Sequence, residues 1–356
     1  MSGLEANMTR STDHNPGLTQ SALENVDADS NCHEGILEIG EALRLHHGGV
    51  LEAARIGWRL TGPHKGPVMV AMGGISAHRR VWSSRSDDTS TGWWSEIVGP
   101  GRAIPSEKFR ILSFDYLGGS GETSGPSGGQ SFPSVSTYDQ AEILRRLLDH
   151  LRIKILDTII GASYGGMVAL AFAERYPDRV ASLVVISAAD WASPMSTAWR
   201  SVQRRVVRFG IEAGRPQQGL ELARALAMAT YRSTEEFSTR FSRAPQRRDG
   251  RFVFPVEDYL MARGADYVRR YQPDSFLTLS ESIDLHHVEA AQVTVPVTAI
   301  AVLEDQLVPV SDMRSMCERL PKARLYEISS VFGHDAFLKE GEALRKIFNA
   351  VLPRTH

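Results

Sequence analysis

Two hydrophobic periods alternate along most of this chain. Short apolar runs read as strands at residues 50–59, 67–72, 109–114, 158–161, 182–187, 295–303 and 324–328. Between them lie stretches whose apolar residues recur at helical spacing. Ala141, Leu144, Leu147, Leu148 and Leu151 share one face of a helix over 138–151. A second helix follows at 164–176, stopped by Pro177-Asp178, and a last one at 338–352. Strands alternating with helices predict a mostly parallel α/β sheet with helices on both faces. The first strands have no helix between them and are expected to be antiparallel.

One interval breaks the rhythm. From 189 to 295 the chain runs 107 residues between two strands, where a crossover needs only about a dozen. The pattern there predicts helices at 196–209, 218–229, 234–241, 256–268 and 274–283. A helical insertion in one crossover is expected to be a lid, which excludes water and shapes specificity. The domain reading is therefore a core of 34–188 and 295–356 with a lid of 189–294. Residues 1–33 carry Glu5, Asp13, Glu24, Asp27 and Asp29 against Arg10, with no apolar period. They lack the basic start and apolar stretch of a secretory signal and read as a disordered tail.

Composition narrows the function classes. Of the 356 residues, 42% are hydrophobic and 23% charged, which excludes a fibrous or wholly disordered chain. A net charge of −2 gives no general attraction to nucleic acid or anionic membrane. The two cysteines, Cys32 and Cys317, supply neither a disulfide framework nor a metal cluster. The expected setting is cytoplasmic, with small-molecule substrates, no bound metal and no bound cofactor.

The chemistry begins at Gly161-Ala162-Ser163-Tyr164-Gly165-Gly166, which fits G-x-S-x-G between a predicted strand and helix. Such a turn is tight enough to require small residues around the nucleophile, and glycines lie two before and two after Ser163. A serine needs a base and an orienting acid. The α/β-hydrolase fold, which this elbow predicts, orders them Ser, acid, His. Asp305 and His334 follow the strands 295–303 and 324–328, at the strand ends where open sheets keep their sites. Glu304 and Asp335 are neighbouring acids that could orient the base instead; Asp305 is preferred. The oxyanion hole is expected from the N–H of Tyr164 and one in the loop Gly73-Gly74-Ile75-Ser76, with Ile75 as the chosen donor.

Further segments extend the pattern: Gly92-Trp93-Trp94, Val98-Gly99-Pro100-Gly101, Tyr116-Leu117-Gly118-Gly119-Ser120-Gly121, Thr230-Tyr231-Arg232-Ser233, Val256-Glu257-Asp258-Tyr259-Leu260 and Gly333-His334-Asp335-Ala336-Phe337-Leu338. Together with the elbow they resemble the homoserine O-acyltransferases, from about residue 37 to 352. The resemblance implies transfer of an acyl group from coenzyme A to an amino-acid hydroxyl through a serine ester, in methionine biosynthesis. It implies a Ser163-Asp305-His334 triad and a homodimer joined through lid helices. It gives Arg204 the acceptor's carboxylate and Asp335 its amino group. Arg200 stands where acetyl-transferring members usually carry Asn and succinyl-transferring members carry Arg. The chain departs from the family at Asp115, where Asn is common, and in the loop 73–78.

Arg200, Arg204 and Arg208 recur at i, i+4 and i+8 on one helix face. A succinyl donor brings a free carboxylate; with an acetyl donor, Arg200 is expected to be a buried cation without a partner, which is costly. The reading is homoserine O-succinyltransferase with succinyl-CoA as co-substrate. Its alternatives are an acetyl donor, a serine acceptor, an esterase, or a binding module that has lost catalysis.

Overall fold

The computed structural model describes residues 32–83, 92–119, 121–127 and 131–352. Residues 1–31 of the sequence-predicted tail, and Ser120, lie outside them. Eight strands form the central sheet: β1 (Cys32–Ile39), β2 (Ala54–Thr61), β3 (Val68–Met72), β4 (Arg110–Phe114), β5 (Leu156–Ala162), β6 (Val180–Ile186), β7 (Val297–Val302) and β8 (Ala323–Ile328). Their order is β1-β2-β4-β3-β5-β6-β7-β8. β2 runs antiparallel to both neighbours, and the other pairs are parallel.

The central strands β3 and β5 are buried along nearly their whole length, as expected for strands covered on both faces. The core helices are α1 (Thr137–His150) and α2 (Tyr164–Arg175). Ser136 and Asp139 form a capping box at the start of α1. α2 is apolar on every side and buried from Tyr164 to Ala173.

The first strand was not legible as such. Its Cys32-His33-Glu34-Gly35 half is polar, and Cys32 and His33 fall inside the segment read as tail. It is an edge strand whose ladder is supplied wholly by β2, Cys32 pairing Thr61 and Ile39 pairing Ala54. Trp58 packs across Gly35, where an added Cβ would meet the indole at 2.9 Å.

The lid comprises α3 (Pro194–Glu212), α4 (Pro216–Tyr231), α5 (Thr234–Arg240), α6 (Pro255–Val268) and α7 (Pro273–Asp284). Four of these open with proline at the first position, where its fixed φ suits the helix and its missing N–H costs nothing. That is why they start one or two residues before the periodic pattern does. The hairpin of Gln246–Arg248 and Arg251–Val253 joins α5 to α6. The lid's two stems meet at a bridge between Trp191 and His287. α8 (Val310–Arg319), α9 (Ala336–Lys339) and α10 (Gly341–Val351) complete the chain. Among the described residues, no helix is long and apolar enough to cross a membrane.

Candidate active site

Ser163 sits at the junction of β5 and α2 with φ 54° and ψ −123°, a conformation that strains a non-glycine residue. Packing enforces it. A Cβ on Gly161 would lie 2.2 Å from the Gly165 carbonyl oxygen, and one on Gly165 2.5 Å from the Met72 backbone. The Gly165 N–H donates to the Gly73 carbonyl at 2.9 Å, tying the elbow to the loop after β3.

The chain brings Ser163, His334 and Asp305 together. His334 Nε2 lies 2.8 Å from Ser163 Oγ, and His334 Nδ1 lies 2.7 Å from Asp305 Oδ2. The other carboxylate oxygen, Oδ1, accepts from the N–H groups of Leu307 and Val308 at 2.8 and 3.0 Å. Those bonds orient the acid and satisfy it in a buried place. Glu304, the neighbouring acid, turns instead to Ser329 and Ser330. Burial disfavours the His334 imidazolium, but the Asp305 charge, its hydrogen bond and the Asp335 charge outweigh that. The His334 pKa therefore lies above the ordinary histidine value.

Tyr164 is the first residue of α2, so its N–H has no acceptor within the helix. Ile75 lines the pocket that contains Ser163 and His334, together with Arg200, Gln203 and Tyr231. The Tyr271 hydroxyl donates to the Ile75 carbonyl at 2.8 Å, so the lid steadies this loop. The pocket of Ser163 and His334 is small, about 50 Å³. A second cavity of about 530 Å³ shares the Ile75 wall and is lined by Arg224, Tyr267 and Arg270.

The quoted segments converge on these groups. The Trp93 indole donates to the His78 carbonyl and that of Trp94 to the Phe337 carbonyl, at 2.8 and 2.7 Å. They fix the oxyanion-side loop and the turn bearing His334. Tyr116 donates to the Gly73 carbonyl at 2.8 Å. The departure at Asp115 is charge-paired: Arg79 donates from its backbone and its guanidinium, each at 2.7 Å. Arg79 also pairs with Glu34 and Glu122, so the loop 73–78 is anchored just beyond its end.

One sequence-based expectation needs correction. Arg200 does not lack a partner in the absence of a donor carboxylate: it contacts Asp284 Oδ1 through Nε at 2.7 Å and Nη2 at 2.6 Å. Arg204 Nη1 reaches Asp284 Oδ2 at 2.5 Å and the Ser280 carbonyl at 3.0 Å. Asp284 lies 84 and 80 positions away in the chain, so no local pattern announced it. The third arginine of the stripe, Arg208, is exposed.

Asp335 is buried beside His334 and pairs with Arg232 at 3.1 Å. Burial raises its pKa against the pull of Arg232, Arg224 and His334. Arg224 was missed in the sequence. Its guanidinium lies 5.0 Å from the Tyr231 ring centre and 4.7 Å from that of Tyr267, on the wall of the larger cavity. It donates to the neutral Tyr231 hydroxyl at 3.3 Å, and among the described residues no carboxylate is at ion-pair distance. The Tyr231 ring is in turn 5.7 Å from His334. A cation on a cavity wall and a buried acid that feels its charge, both close to His334, are the two signs of charge that an amino acid carries. The helical spacing of Arg224 within apolar α4 was the one available signal.

Residues 74–340 match the family described as alpha/beta hydrolase fold. A homoserine O-succinyltransferase of Xanthomonas campestris pv. campestris is 42% identical over 95% of this chain and 89% of its own. A serine O-succinyltransferase of Litchfieldella anticariensis is 31% identical over 86% and 94%. The crystal structure of homoserine O-acetyltransferase from Bacillus anthracis superposes with a TM-score of 0.82 at 19% identity, covering 91% of this chain and 98% of that one.

Proposed function

The chain belongs to the homoserine O-acyltransferases of the α/β-hydrolase fold, and we propose that it carries a succinyl group from succinyl-CoA to the hydroxyl of L-homoserine. His334 Nε2 takes the Ser163 proton as Oγ attacks the thioester carbonyl carbon. The N–H groups of Tyr164 and Ile75 hold the oxyanion. The carbon–sulfur bond breaks, His334 protonates the thiolate, and coenzyme A leaves a succinyl ester on Ser163. Homoserine then enters. His334 deprotonates its hydroxyl, which attacks the succinyl carbonyl carbon; the bond from that carbon to Ser163 Oγ breaks as the new ester forms, and His334 returns the proton to Oγ.

The observation that carries this reading is Arg224 on the wall of the larger cavity, against the Tyr231 ring that neighbours His334, with the buried Asp335 near enough to feel its charge. Arg224 would take the acceptor's carboxylate and Asp335 its ammonium, with the hydroxyl directed at His334. An esterase, whose acceptor is water, has no task for that pair. Arg204, whose Nη1 is engaged by Asp284, is less suited to the carboxylate than Arg224. For the donor, Arg200 on the wall of the Ser163 pocket supports a carboxylate-bearing acyl chain, as does the name of the 42% identical relative. The reading includes a cytoplasmic place in methionine biosynthesis and no bound metal or cofactor.

A homodimer through the lid is part of the same proposal. Met195, Val202 and Phe209 recur every seventh residue of α3 and are 59%, 55% and 65% exposed, a stripe that a partner helix would cover. Light scattering on the purified chain tests it. The activity itself is tested by a two-by-two assay of succinyl-CoA or acetyl-CoA against homoserine or serine. Steady-state thiol release that needs an amino acid and is fastest with succinyl-CoA and homoserine is the expected result. Thiol release that continued past one equivalent without an amino acid would favour a hydrolase.

A further inference from the structure

We propose that Asp284, at the last position of α7, is the positioning residue that sets acyl-donor specificity; this rests on the succinyl-CoA reading above. Arg200 lines the pocket of Ser163 and His334. The side chains of Arg200, Arg204 and Asp284 are only 12%, 11% and 9% exposed. Two guanidinium groups on α3 thus share a single carboxylate on α7, and the buried seam keeps an excess positive charge. Thr197 ties the acid further, donating to Oδ1 at 2.8 Å.

The geometry divides the guanidinium in two. Arg200 meets Asp284 with Nε and Nη2. Its Nη1 takes part in neither contact, and a guanidinium offers five donors in a fixed plane. Asp284 therefore holds the plane of Arg200 at the pocket wall while leaving an edge for a second carboxylate. Arg204 is held by the same acid and by the Ser280 carbonyl. A donor with a terminal carboxylate neutralises the seam. An acetyl donor leaves its charge unmatched and gains nothing from the alignment.

The test compares Asp284→Ala and Asp284→Asn with the wild type, measuring kcat/KM for succinyl-CoA and acetyl-CoA at saturating homoserine. Pre-steady-state thiol release isolates the acylation step. In Asp284→Ala, Arg200 loses its anchor, so succinyl-CoA acylation should fall at least about tenfold while acetyl-CoA stays within about threefold. The donor ratio is the decisive quantity, because simple loss of folding lowers both donors together. Asp284→Asn keeps an oxygen acceptor and should fall between the two, and it carries the test if the alanine variant does not fold. A wild-type preference for succinyl-CoA that survives unchanged in both variants overturns the role of Asp284 alone. A wild type that prefers acetyl-CoA overturns the donor reading and this proposal with it.

Discussion

The elbow and the α3–α7 seam are built on opposite principles. At the elbow, close packing and backbone hydrogen bonds hold Ser163: Gly161 and Gly165 leave no room for a methyl group, and most of the atoms it would meet are backbone. At the seam, charge holds the parts: two arginines converge on Asp284 from a neighbouring helix. A steric constraint of this kind has one solution, whereas a charge balance can be reset by changing one residue. The proposed function places the chemistry in the rigid half and the choice of substrate in the adjustable half.

That contrast can be broken most severely at the nucleophile. Ser163→Ala should abolish the covalent acyl adduct seen by mass spectrometry and lower turnover by a factor on the order of 10³ or more. An adduct that persisted on the productive path would move the chemistry away from the elbow.

On the lid side, Arg224→Met should weaken only the second half-reaction. A charge-assisted hydrogen bond is worth about 1.5–3 kcal/mol, roughly ten- to a hundredfold. The expected outcome is a rise of that size in the KM for homoserine, with the initial burst of thiol release intact. A lost burst would show that Arg224 serves the donor instead.

Arg200→Asn should lower kcat/KM for succinyl-CoA by about tenfold or more and leave or raise that for acetyl-CoA. The Asp284 partner makes the acetyl arm informative, since removing Arg200 leaves Arg204 still paired with that acid. Equal losses with both donors would return Arg200 to a structural role.

The smallest effect concerns the base. His334 must be neutral to accept the serine proton, so acylation should rise with pH through a pKa above the ordinary histidine value. Asp335 contributes to that elevation. Asp335→Asn removes a negative charge near the imidazole and should shift the acidic limb of the pH–rate profile downward, while also weakening homoserine binding. An unshifted limb would leave Asp335 without electrostatic influence on the base.

Much of the core was readable because its information is local. Strand and helix periods located β3, β4, β5, β6, β7 and β8 to within about two residues, and the order Ser163, Asp305, His334 followed from loops after particular strands. Where burial did not follow a simple period, the reading failed. β1 is a polar edge strand completed by β2. α8 buries only Met313 and Met316, too thin a stripe to stand out.

The sequence by itself determined the α/β architecture, the helical insertion between β6 and β7 and the elbow, because backbone sterics and hydrophobic spacing act between near neighbours. Only the tertiary structure decided which charges meet. Asp284 approaches Arg200 from another helix, and Arg224 comes to rest against Tyr231 and Tyr267 with no carboxylate at ion-pair distance among the described residues. Electrostatic partners are chosen by distance in space, and burial gives those distances their weight. Neither quantity is written in the spacing of residues along the chain.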